Sequence, residues 1–183
     1  MKKLILVFAA LVILGAAYFA FFLPRDVKGL VSRNGIDESA FFSGSLVTLG
    51  KSSESVSEQK LSGLKSELAL ASTTSSGIEK DRAAAIEKLV IFYQTKLEVN
   101  QKSVFFQTET KSDVFCPRLP EARQIVEAQQ TVYMLGVELY SLSVDFEQKW
   151  GENFFSIDPS AEYDNLEELR TELEAMEFLC RLS

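Results

Sequence analysis

The chain has 183 residues, with 19 basic and 26 acidic side chains and no histidine. Beyond the first 25 residues, 16 basic side chains face 26 acidic ones, a net charge of −10 that nucleic acid and anionic lipid surfaces repel. Imidazole acid/base catalysis, Ser-His-Asp and Cys-His triads and histidine metal sites are all excluded, and two cysteines are too few for a thiolate zinc centre.

The first element is an uncharged run from Leu4 to Leu23, which as a helix measures about 30 Å and matches the hydrocarbon core of a bilayer. Lys2 and Lys3 precede it. Gly15 and Ala17 form a small-x-small site, so a cleaved leader is one reading. Cutting after Ala17 leaves "YFAFFLP" as an uncovered aromatic terminus, which favours a retained transmembrane signal anchor over residues 1–24. Tyr18, Phe19, Phe21 and Phe22 then form the interfacial end of the span, and Pro24 stops the helix. Arg25, Lys28 and Arg33 nearly balance the cations on the other side. The short basic tail of a signal anchor points to a single-pass protein with its domain on the extracytoplasmic side of the cytoplasmic membrane.

Residues 25–52 contain four glycines between Gly29 and Gly50, an Asn34-Gly35 turn signal and no sustained period. They read as an irregular membrane-proximal linker, or as a segment docked on the body through Phe41 and Phe42. Residues 53–183 carry one helix signal after another. Ser55 and Glu58 form a capping box ahead of Leu61, Leu64, Leu68 and Ala71, which predicts a first helix over Ser53–Ala71. Ser76 and Glu79 form a second box before a stripe of Ile86, Val90, Tyr93 and Leu97, and this second helix extends to about Phe106.

Pro120 and Glu121 open a third helix. Its seam, Ile125, Val132, Leu139 and Phe146, repeats every seven residues, with Ala128, Leu135 and Leu142 between. Val126, Tyr133, Val137, Tyr140 and Val144 widen the apolar face, so more than one neighbour is expected to cover this central helix. Gly151 ends it. Asp158 and Pro159 start a fourth helix with a seam of Leu166, Leu169, Leu173, Met176 and Cys180. The expected fold is all-α, an N-terminal transmembrane helix followed by an antiparallel up-down-up-down four-helix bundle.

Three constellations could carry function. Asp164, Glu168 and Glu172 align on the fourth helix as a carboxylate array, which acts in catalysis or cation binding only when it converges in a sheltered pocket and otherwise is a solvated face. Trp150, Phe154 and Phe155 cluster beside the glycine stop, either as a partner-binding tip far from the membrane or as a plug of the bundle's end. Cys116 and Cys180 lie within reach of each other if the last two helices are antiparallel, as a disulfide or as two buried thiols. No catalytic, cofactor or metal residues are assigned, and the chain is expected not to be an enzyme. The expected function is binding: a membrane-anchored subunit that meets an unknown protein partner, with a ligand-sensing ectodomain as the alternative.

Overall fold

Residues 26–44, 57–108 and 115–182 are described in the computed structural model, and all of their regular structure is helical. The anchor expected at 4–23 and the cleavage site at Ala17 lie outside these residues. Among the described residues, no helix is long and apolar enough to cross a membrane. The elements are α1 (Gly29–Arg33), α2 (Glu38–Phe42), α3 (Glu58–Thr74), α4 (Ile78–Thr108), α5 (Leu119–Trp150) and α6 (Ser160–Leu182), with a 3-10 turn at Cys116–Arg118.

Local signals set most helix ends. Ser57 caps α3, its side chain accepting from the Lys60 N–H at 3.3 Å, and Ser55 falls before the described start. In "SSESVSE" several serines compete for the cap, and the one that brings Leu61, Leu64, Leu68 and Ala71 inward wins. Gly77 takes the position before α4 with φ +58. Glu79, expected to cap its own helix, instead accepts from the Val27 N–H at 3.2 Å. At the far end of α5, Gly151 adopts φ 71 and donates to the Glu147 carbonyl at 2.8 Å, a left-handed stop open to glycine at little cost.

The molecule is a helical bundle built on one long hairpin. The 31 residues of α4 and 32 of α5 make helices of about 46–48 Å, running antiparallel. Ion pairs mark the register: Lys88 to Glu138 at 2.8 Å, with Arg82 to Glu152 nearer the end. With 17 residues, α3 spans only about 25 Å, so the turn at residues 75–77 holds it beside the first half of α4. The 23-residue α6 packs antiparallel on the first half of α5. The chain order is therefore up-down-up-down, but the outer helices serve opposite halves of the hairpin and do not lie side by side along its whole length.

Residues 26–44, the described part of the stretch read as an irregular linker or a docked segment, pack on the bundle. Val27, Leu30, Val31, Ile36 and Phe41 are all buried, and the Phe41 ring lies 5.1 Å from that of Tyr93. The Tyr93 hydroxyl donates to the Phe41 carbonyl at 2.5 Å, and Lys60 Nζ donates to the Gly35 carbonyl at 2.7 Å. Five large apolar side chains in fifteen residues bury too much surface for the segment to stay solvated, at about 1.5–3 kcal/mol for each large side chain.

The segment 152–158 then doubles back along α5. Its Ser156 N–H donates to the Phe42 carbonyl at 2.8 Å. A Cβ on Gly44, itself at φ +76, would stand 2.9 Å from Ile157 Cδ1. Because of this return, α6 starts opposite the middle of α5, with Pro159 against Gly136.

Candidate functional site

Phe154 and Phe155 are 8 % and 3 % exposed, inside the molecule. The Phe154 centroid lies 4.6 Å from Phe146, 4.8 Å from Phe155 and 5.6 Å from Phe42, so the aromatic cluster closes the core and does not stand out as a tip. Its position is also corrected. Val27 bonds to Glu79, and Lys28 Nζ lies 5.4 Å from the Phe154 centroid, so the cluster shares an end with the residues that follow the N-terminal run. The distal placement assumed that the chain enters the bundle at the start of α3. Instead it enters through α1, beside the start of α4.

Charges rim this end and pair with one another, although the buried Nε of Arg82 has no hydrogen-bond partner among the described residues. Trp150 is half-buried, and its indole N–H donates to Asp81 at 3.0 Å, as does Lys149 Nζ at 2.6 Å. The Lys149 hydrogen bond holds the Asp81 carboxyl below the usual carboxylate range, with Trp150 adding to it. Burial disfavours the charge on Arg82, but the hydrogen bonds it donates to Glu152 and Glu79 outweigh it and raise the guanidinium's pKa.

The opposite end holds the cysteines. Cys116 in the 3-10 turn and Cys180 in the last turns of α6 form a disulfide, with Cα atoms 5.6 Å apart and a sequence separation of 64. Closing a loop of that length removes unfolded-state entropy equivalent to about 4 kcal/mol. Arg123 and Glu177, at 2.8 Å, tie the same two helices.

Between this bridge and the middle of the bundle lies a cleft of about 170 Å³. Asn100 and Ser103 of α4 form one wall, Glu168 and Glu172 of α6 the other, and Gln129 of α5 lies between. Asp164 is exposed and does not line it, so the cleft brings together two of the three aligned carboxylates. Burial first, and Glu168 second, raise the Glu172 carboxyl above the usual range. Among the described residues there is no cluster of three or more His, Cys, Asp or Glu suited to a metal ion.

Gln129 is 3 % exposed, and its amide is oriented by its neighbours. Nε2 donates to the Glu162 carbonyl at 3.1 Å and to the Glu162 carboxylate at 3.2 Å. The same carboxylate, buried, pairs with Lys96. Two acceptors take the NH₂ side, and among the described residues no donor reaches Oε1, on a residue that lines the cleft. Sequence reasoning did not single out Gln129 or Glu162, although both break an apolar stripe. Gln129 stands between Ile125 and Val132 at i+4 and i+7, and Glu162 stands four residues before Leu166.

The outer side of α5 is less covered than its sequence suggests. Met134, Tyr140 and Val144 are exposed, Tyr140 by 53 %. Comparison with protein families, characterised proteins and solved structures finds no match.

Proposed function

We propose that this is a membrane-anchored, extracytoplasmic helical bundle that acts by binding a protein partner, as a subunit of a membrane or envelope assembly. The anchor is the 20-residue run 4–23, and the Cys116–Cys180 disulfide supports an oxidising location. The observation that carries the binding role is the exposed apolar pair of Tyr140 and Val144, one turn apart on the central helix, since aromatic residues make effective interface anchors. A photo-crosslinking residue at Tyr140, in native membranes, is expected to give a discrete protein adduct that is lost in Val144→Asp. Absence of any adduct contradicts the binding role. Thiol labelling of unreduced, denatured membranes tests the location, with both cysteines expected to be protected; two free thiols contradict an extracytoplasmic domain.

A ligand-sensing ectodomain that signals through a separate membrane partner is the second reading. The polar cleft beside Gln129 favours it, because a fully packed bundle would leave a ligand nowhere to enter.

A further inference from the structure

The cleft between α4 and α6 has a definite chemical character. Its wall carries the carboxylates of Glu168 and Glu172, and among the described residues no cation lines it. Gln129 lines it too; among the described residues no donor reaches its carbonyl oxygen, while its NH₂ side is held by Glu162. Leu169 and Val99 add apolar surface. At about 170 Å³ the space is smaller than the roughly 300–1,000 Å³ of sites for drug-sized molecules.

We infer that this cleft binds a small aliphatic amine in its cationic form, with the ammonium donating to Gln129 Oε1 and to the Glu168 and Glu172 carboxylates, and the methylene chain lying against Leu169 and Val99. An ammonium carries three donors and no acceptor, which suits a set of acceptors. Among the described residues no third carboxylate, His or Cys joins the two glutamates to form a metal cluster, and a calcium ion takes six or more oxygens. Charge supports the same choice, since a bound cation offsets the repulsion from Glu168 that helps to raise the pKa of Glu172. The buried Lys96–Glu162 pair fixes the amide from behind, so Gln129 is held ready for the ligand. This site gives the ligand-sensing reading its substrate class and rests on that reading for its biological purpose, though not for the binding itself.

Calorimetric titration of the full oxidised chain in a neutral detergent tests it, with 1,4-diaminobutane as the probe. Saturable binding is expected for the diamine and none for 1,4-butanediol, its neutral counterpart, or for calcium chloride. Gln129→Leu and Glu172→Gln are each expected to weaken the diamine by about tenfold, the loss of one hydrogen bond to a charged group. Glu172 lies on the surface, so Glu172→Gln remains informative if the buried Gln129→Leu variant fails to fold. Glu174→Gln, on the same helix and outside the cleft, is expected to leave affinity unchanged. Equal binding of the diol or of calcium, no saturable binding, or equal weakening by Glu174→Gln and Glu172→Gln each overturns the assignment. Diamine binding that leaves Tyr140 crosslinking unaltered supports the site while removing the sensing role.

Discussion

The two ends of the α4–α5 hairpin are held together by different means. Around Tyr93 and Phe155, four separate chain segments contribute large side chains, and almost all of the largest fully buried ones lie there: Phe41, Leu61, Leu64, Leu68, Ile86, Leu89, Phe92, Tyr93 and Ile157 among them. Around Gln129, Leu166 is the main such residue, and the interior holds the polar Gln129 and Glu162. Cross-helix ion pairs occur at both ends, and here a disulfide supplies what apolar volume does not. The end around Phe155 is filled by large apolar side chains, whereas the stapled end keeps a cleft. A covalent bridge stabilises mainly by restricting the unfolded chain, so it lets a region stay fixed without being filled.

The comparison can be broken first with matched phenylalanines. Phe155→Ala, at the closed end, is expected to cost about 3–5 kcal/mol in urea denaturation, whereas Phe178→Ala near the bridge is expected to cost less than about 0.5 kcal/mol, because that ring is 62 % exposed. Similar losses from the two would erase the contrast.

A smaller effect, of opposite sign at the two ends, comes from pH. Asp81 has a lowered pKa, so its contribution is present above the ordinary Asp value of about 3.9 and is lost as pH falls through the lowered one. Glu172 has a raised pKa, so its contribution is present below the ordinary Glu value of about 4.3 and is lost as pH rises through the raised one. At neutral pH, Asp81→Asn is expected to lower the thermal midpoint and Glu172→Gln to raise it slightly. The first difference shrinks on acidification, and the second disappears in acid. Shifts of the same sign at pH 7 would show that the charges at the two ends are not differently arranged.

What the sequence makes legible follows the same division between local and distant signals. Ile125, Val132, Leu139 and Phe146 are buried where their seven-residue period puts them, because one helix face is a local property. Pairing of Cys116 with Cys180 is a question of reach, which helix rise and chain order address without side-chain detail. The docking of α1 and α2 is another matter. It depends on Phe41 meeting Tyr93 and Phe42 meeting Phe154, contacts across about 50 to 110 residues that no window displays. The burial of Phe154 and Phe155 follows from the return of segment 152–158 along α5, which Gly44 permits by having no side chain. The cleft needs residues from three helices, and its traces in the sequence are the aligned Glu168 and Glu172 and the polar interruptions of two apolar stripes.

Hydrogen exchange of the full chain before and after reduction of the disulfide is the most direct test of this division. Reduction is expected to speed exchange in α6 and in the first turns of α5, while α3, the first half of α4 and the last turns of α5 keep their protection. Equal loosening throughout, or none in α6, would contradict a bundle that is packed shut at one end and stapled at the other.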